Sequence, residues 1–536
     1  MRISRSKRSI TGILTVVASL CLLAATLEAQ SFFGAIVGTV TDPSEAAVPA
    51  AAVTLTNTGT GETKTVEADA AGNYQFLNLI PGFYKVAIER PGFKRFTRDQ
   101  VQVVVQSSVR VDVRLEVGDV GQAVEVNARA VSLQTESATL SQAVGGRNVT
   151  EMPLNGRNVY SLIALVPGVV MEGATPQIGG GMANQNATYV DGVPMNTAYF
   201  NQTAAAPTQD SVEEFRVQTN TASAEFGRFA GGVVSLTSKS GTNEFHGTAY
   251  EFLRNRVLNG NTFFSNRAGL VRPPFTQNQY GATFGGPIRK NKTFFFGSYE
   301  GFRQRQGATF VLNVPTAKML GGDFSELPAG VTIHDPLSSS NGTNRTPFGN
   351  NVIPANRLDP TAVILAKMLW TAPNRPGLTN NWVNNASAGQ NNDTFNMRVD
   401  HNVGDKQRIF ARYNLSHPYT LRVAPYNTDI YYIGSRPSFL TTAVFGDTYT
   451  FSPTMFLDVR ASFLRNHNFR YPDQLGVDLT TIGWPAIYNQ QDLTRTLPQI
   501  CATNYDFSYS GQGGIARAIR SRSLSSPTTS TISRPA

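Results

Sequence analysis

Several stretches in the second half of this chain carry a pattern that few folds can use. In one of them Phe395, Met397, Val399 and Val403 fall on one face and Asn396, Arg398, Asp400 and Asn402 on the other, with His401 interrupting the apolar set. Past Gly404-Asp405, the residues Ile409, Ala411, Tyr413 and Leu415 alternate with Arg408, Arg412, Asn414 and Ser416. Met455, Leu457, Val459, Ala461 and Phe463 repeat the alternation against Asp458, Arg460 and Ser462. A period of two is that of an extended strand with unlike faces. Segments of about ten residues also have the length a tilted strand needs to cross a bilayer.

The links between these segments choose between a soluble sandwich and a membrane barrel. Seven strands are expected, near 244–253, 277–286, 292–303, 393–403, 407–416, 438–451 and 454–466. Their connections, Arg254 to Thr276, Pro287 to Asn291, Gln304 to Asn392, Gly404 to Lys406, His417 to Ser438 and Ser452-Pro453, run long, short, long, short, long, short. A barrel in a bilayer keeps tight turns on one side and roomy loops on the other. A sandwich has no reason to keep that order.

Upstream, Tyr189 and Val190 end a short apolar run, Asp191-Gly192 supplies a tight turn, and Val193 resumes extended chain. Ser211 to Glu214 reads S-x-x-E and suggests a capping box for one helical turn, with a strand from Phe215. Gly231 and Gly232 bend the backbone ahead of VVSLTSKSGTNEFHG. Val159, Leu162, Ile163 and Val166 stand on one face of a helix that Pro167-Gly168 ends. With its order and spacing, this stretch resembles the plug domain of TonB-dependent outer-membrane receptors, which carries a Val-Asp-Gly-Val-Pro strand-turn and closes on a Gly-Gly-Val-Val strand.

Residues 1–29 have a basic start, an apolar run from Ile10 to Ala25 and a cleavage-like Ala29, and are expected to be a signal peptide. Residues 30–118 hold about seven short alternating runs separated by Asp-Pro, Thr-Gly, Ala-Gly-Asn and Pro-Gly, a small β-sandwich. The phrases DAAGNYQFLNLIPGFYKV and RPGFKRF resemble the carboxypeptidase regulatory-like domain. No zinc-peptidase machinery accompanies them: the five histidines all lie at or beyond His246, and none opens an H-x-x-E pair. A connector spans 119–132. Within it Val124, Glu125, Val126, Asn127 and Ala128 resemble a TonB box, and equally read as a linker strand or the last strand of the sandwich. The resemblance implies the inner-membrane TonB complex as partner, recruited by strand addition.

The chain has 536 residues, enough for several domains, and only 15% of them are charged. Part of the +9 formal charge sits in the leader and part in the last residues (Arg517, Arg520, Arg522, Arg534), so the body is near neutral and nothing argues for nucleic acid. Of two cysteines, Cys21 lies in the leader and Cys501 is alone. No G-x-S-x-G elbow or paired catalytic carboxylates stand out, so no enzyme, cofactor or metal site is expected. PTAKMLGGDFSEL and NNVIPANRLDPTAVILAKMLW are similar to phrases of Oar-like members of the receptor family.

The reading is therefore a mainly β chain. It comprises a sandwich (30–118), a connector (119–132), a small α/β plug (133–240), an incomplete antiparallel outer-membrane barrel (241–510) and a disordered or aberrant tail (511–536). Plugged barrels of this kind close with about twenty-two strands, and seven leave two edges open, which suggests a truncated copy. The resemblance implies a receptor or transporter of the diderm outer membrane, embedded in its lipid and acting on an extracellular ligand of unknown identity. The alternative is a secreted or surface adhesion protein that uses sandwich and plug without transport.

Overall fold

The computed structural model describes residues 32–118, 123–126, 139–421, 436–490, 517–525 and 531–532, less breaks at 153, 173–174, 183, 198–200, 202, 205–206, 221–225, 227–228, 262, 268–270, 454 and 471–476. The leader, both cysteines and most of the connector, including Asn127 and Ala128, lie outside the described residues.

The sandwich forms as two sheets. Strands β1 (Gly34–Thr41), β2 (Ala52–Asn57), β3 (Thr63–Glu67), β4 (Asn73–Leu79), β5 (Gly82–Glu89), β6 (Arg95–Val103), β7 (Ser108–Arg110), β8 (Val113–Arg114) and β9 (Ala123–Val126) follow one another along the chain. One sheet has the order β4-β1-β7, with β8 also on β1, and the other β3-β2-β5-β6-β9. Ile36, Val53, Leu55, Phe76, Val86, Ile88 and Leu115 form its core. The single run SVRVDVRLEV is broken into β7 and β8, both parallel to β1. The TonB-box-like Val124–Val126 lies parallel to Phe96–Arg98, an edge strand of this domain.

The plug is built on a five-stranded sheet, β10-β15-β16-β13-β14. Its strands are β10 (Leu140–Gly145), β13 (Ala187–Val190), β14 (Val193–Pro194), β15 (Val212–Asn220) and β16 (Val233–Ser238), and the hairpin β11 (Val169–Glu172) with β12 (Thr175–Ile178) stands apart. Val159, Leu162, Ile163 and Val166 are buried in its core, as their spacing predicts, but Val159–Leu165 winds as a 3-10 rather than an α-helix. Seven residues held between the Asn158 cap and Pro167-Gly168 are too few for the α form to gain on the tighter coil. The capping box does not form. Gln209–Ser211 makes the turn, and Glu214 lies inside strand β15, where it accepts a hydrogen bond from the sandwich instead of capping a helix.

All seven expected barrel strands are present: β17 (His246–Asn255), β18 (Phe275–Arg289), β19 (Thr293–Leu312), β20 (Trp382–Asn402), β21 (Gln407–Leu421), β22 (Arg436–Ser452) and β23 (Met455–Arg470). They pair in sequence order as one antiparallel meander. An eighth strand, β24 (Arg517–Ser525), runs along β23, with the short β25 (Thr531–Ile532) beside the same strand. Of the tail expected to be disordered or aberrant (511–536), residues 517–525 and 531–532 are thus extended, and the others lie outside the described residues. A sheet edge offers backbone donors and acceptors to any extended segment, whether or not its side chains alternate. The meander stays open among the described residues.

Its faces are inverted relative to a soluble core. Phe395, Met397, Tyr413 and Phe445 are 43–49% exposed, while Asn396, Arg398, Arg412, Asn414 and Arg460 are 4–7% exposed. The apolar face meets lipid and the polar face wraps the plug. Strands also run further than the alternation suggests, β20 over 21 residues, roughly 70 Å of extended chain against a hydrocarbon layer of about 30 Å. Beyond the bilayer a strand no longer separates a lipid face from an inner one, so no two-residue period marks those extensions.

The long segment 313–381 is ordered by its own small core. Asp359 caps the helix Pro360–Leu369 by accepting from the Ala362 amide at 2.8 Å. Leu365 and Leu369 pack with Val314, Trp382, Leu479 and Ile482, flanked by Trp370 and Trp484. All three tryptophans of the chain thus sit in one cap that joins the β19–β20 loop to the segment after β23.

Phe445→Arg, which places a guanidinium on the lipid face between Ala411 and Ala461, is expected to weaken insertion into phospholipid vesicles by about 2–4 kcal/mol. Phe445→Leu should insert like the wild type, and flotation with vesicles measures both.

Candidate functional site: the plug–wall contact

The Asp191-Gly192 turn is where the plug meets the wall. Both residues have positive φ, 50° and 77°, as a two-residue hairpin between β13 and β14 requires. A side chain at Gly192 would run into the Arg460 guanidinium, so this turn needs glycine for its conformation and for the closeness of the wall. Tyr189, Val190 and Val193 lie in the flanking strands. Gly231 and Gly232 lead into β16, and a Cβ at either would collide with Asn186 or Ile178, which lets that strand pack tightly against the plug interior.

Asp191 is 3% exposed and its carboxylate is fully engaged. One oxygen accepts from the Ser238 amide at 2.9 Å and from Arg398 at 3.0 Å. The other accepts from the Ser238 hydroxyl at 2.8 Å and faces Arg412 Nε at 2.9 Å. Arg460 donates to the Asp191 carbonyl at 2.6 Å. Three wall strands, β20, β21 and β23, thus send one arginine each to a single plug turn. Arg398 is shared with Asp400 at 2.8 Å, Asp400 accepts from Ser240 at 2.6 Å, and Arg460 pairs with Asp458 at 2.9 Å.

Burial alone would push the Asp191 carboxyl up, but Arg412, Arg398 and the two Ser238 groups outweigh it and hold the carboxyl below its ordinary value. A depressed carboxyl contributes stability above its free value of 3.8 and loses it only as pH falls through the lower bound value. The latch is therefore intact across the neutral range. Val193 packs with Phe410 and Val444 beside it, and Arg398 lies over the Phe410 ring, excluding water from the pairs.

A second contact holds the other side of the plug. Arg157 pairs with Asp210 and sits over the rings of Tyr250 and Phe252, at 4.7 and 4.5 Å, on the inner face of β17. At the sheet's opposite side Arg460 and Arg408 lie over Phe33, and Arg460 also over Phe32, residues that lead into the sandwich.

The sequence singled out the turn but not its partners. Arg398, Arg412 and Arg460 were legible as charges on the inward faces of strands, and such charges need counter-ions. Which carboxylate would answer them depended on where the plug sat. The residues Val124 to Val126 stand in the sandwich sheet, away from this cluster. Among the described residues no group of three or more His, Cys, Asp or Glu is placed to hold a metal ion.

Comparison with known proteins agrees with this architecture. Residues 237–528 match the outer membrane beta barrel domain family, 134–234 the TonB-dependent receptor plug domain and 35–116 the carboxypeptidase regulatory-like domain. The chain is 31% identical over 328 residues to the TonB-dependent transporter Oar of Myxococcus xanthus, which covers 58% of this chain and 30% of that transporter. The siderophore receptor PirA of Acinetobacter baumannii is similar at 15% identity and TM-score 0.39, over 64% of this chain and 42% of PirA. The outer membrane transporter YddB of Escherichia coli is similar at 13% and 0.40, over 62% and 40%. The barrel family's match spans more than half of the chain, and sandwich, plug and wall follow one another in the order found here. The chain belongs to the TonB-dependent outer-membrane receptors, of the Oar-like kind that begins with a carboxypeptidase regulatory-like domain, and its place is the outer membrane.

Proposed function

We propose that this chain serves import or export of a large ligand across the outer membrane, with the plug as a stopper released from the periplasm. The observation that carries this reading is the Asp191 cluster. It fixes the plug to three strands of the wall, β20, β21 and β23, through one turn, so that moving this turn undoes several charge contacts together. A buried pair of this kind is strongly held only while every member is present. It is a latch that thermal motion leaves closed and a directed pull can open.

The ligand is met by the outer cap built from 313–381 and 477–489, whose packed core makes it a platform rather than a loose loop. The pull comes from the inner-membrane TonB complex. Val124, Glu125, Val126, Asn127 and Ala128 are its contact, reached by strand addition at the free edge of β9. A conducting lumen forms only where the outer edges of β17 and β24 are paired by further strands. Each open edge would leave about ten backbone groups without partners in hydrocarbon, at several kcal/mol each. The chain spans 30% of the length of the Oar transporter, and transport belongs to the closed barrel.

Asp191→Asn leaves Arg412 without its counter-charge and Arg398 with Asp400 alone. It is expected to lower the stability of the seated plug by about 3–5 kcal/mol, read as earlier protease cleavage within 187–240 along a urea series in detergent micelles. Cleavage at the wild-type urea concentration would remove the latch. For the periplasmic contact, a peptide spanning Gly121 to Ala130 should bind a periplasmic TonB fragment and lose that binding when Val124 and Val126 become proline. Equal binding by both peptides would remove the strand-addition assignment.

A further inference from the structure

The sandwich is seated on the plug through one corner. Between β6 and β7 the chain turns at Val104–Ser107, with Gln106 at φ 55°. This corner enters the face of the plug sheet. Arg216 donates through NH1 to the Val105 carbonyl at 3.0 Å and to that of Gln106. Gln106 Oε1 accepts from Gln218 at 2.9 Å and from Ser235 at 3.2 Å. Glu214 accepts from the Val105 amide. Val105, Glu214, Arg216, Gln218 and Ser235 are all buried.

The same arginine also reaches the plug's outermost strand. Arg216 Nε and NH2 donate to the Ser141 hydroxyl at 3.0 and 2.6 Å. Ser141 lies on β10, which among the described residues pairs only with β15 and is the first plug strand after the connector. One buried guanidinium therefore staples three elements: the sandwich corner, β15 and the edge strand that a force on the connector loads first. If the corner leaves, NH1 of Arg216 loses its acceptors in a buried place, and a buried unpaired charge is costly. The guanidinium must then turn toward water, away from Ser141.

We propose that the docked sandwich is a catch on the plug: while the 104–107 corner is seated, β10 cannot peel from β15, and undocking the sandwich is the step that frees it. Its physiological sense rests on the connector being the point of pull. The coupling between dock and β10 exists without any partner and is measured without one. Glu214 gives the catch a pH dependence. Burial, first, and the neighbouring Glu213 push its carboxyl up to about 8, against the Val105 amide and Arg216, which act to lower it. The docked state thus favours the protonated carboxyl. The stabilisation is complete below the free value of 4.5, falls as pH rises, and is spent above about 8.

The test is amide hydrogen exchange of the full chain in detergent micelles, expressed as protection factors so that intrinsic pH effects divide out. Gln106→Gly keeps the positive-φ corner and removes the acceptor of Gln218 and Ser235. It should lower the protection of Leu140–Gly145 at least about tenfold while β2 and β5 of the sandwich keep theirs. In the wild type the same β10 amides should lose protection between pH 5 and pH 9, and Glu214→Gln, neutral throughout, should hold it constant. Should Gln106→Gly unfold the sandwich, seen as lost protection in β2 and β5, the pH series on wild type and Glu214→Gln decides alone. Unchanged β10 protection in a folded Gln106→Gly chain, or β10 protection that ignores pH in the wild type, overturns the catch. Loss of TonB-fragment binding to the connector peptide leaves these readouts untouched, so the two readings fail separately.

Discussion

A strand in hydrocarbon has no water to satisfy its backbone, and the second half of this protein is arranged by that constraint. Every peptide group of these strands that lies in hydrocarbon needs its partner on a neighbouring strand, so the strands pair in sequence order as a meander with tight turns on one side. The same solvent inverts the side chains. Phenylalanines and methionine on the outside cost nothing against lipid tails, and arginines, asparagines and aspartates collect on the inside. A soluble protein could not leave Phe445 and Met397 outward while burying Arg398, Arg412 and Arg460.

That inversion creates the electrostatic problem that the plug solves. Inward arginines have no bulk water once the plug occupies the concave side, and their own neighbours Asp400 and Asp458 answer only Arg398 and Arg460. Asp191 is the shared anion that completes the set, presented by a turn tight enough to lay its carbonyl against Arg460. The plug is thus held by the charges that the wall must carry to have a polar inside, and seating it is also what neutralises the wall.

The regulatory-like sandwich contributes in the same manner at its own contact with the plug. Its 104–107 corner fills the acceptor needs of Arg216 and places an amide on Glu214. The connector's Val124–Val126 segment, zipped to β6, belongs to the same body as that corner. Connector strand, corner and plug are then contiguous, and the corner is joined to the plug by buried polar groups contributed from both domains.

The sequence by itself determined the three-part order, the seven wall strands, the alternation of their links and the Asp-Gly turn, because each rests on local periodicity or on a conformation only certain residues adopt. It overstated the loops and missed β24, since strands in water or at an edge need no alternation to pair. It read Ser211 to Glu214 as a cap, and Glu214 went instead to a partner 109 residues away in sequence. Only the tertiary structure decided which carboxylate faces Arg398, Arg412 and Arg460, and that Arg216 ties sandwich to plug. Those pairings bring together residues from different domains, and a charge on a strand face announces that it needs a counter-ion without saying where in the chain it will be found.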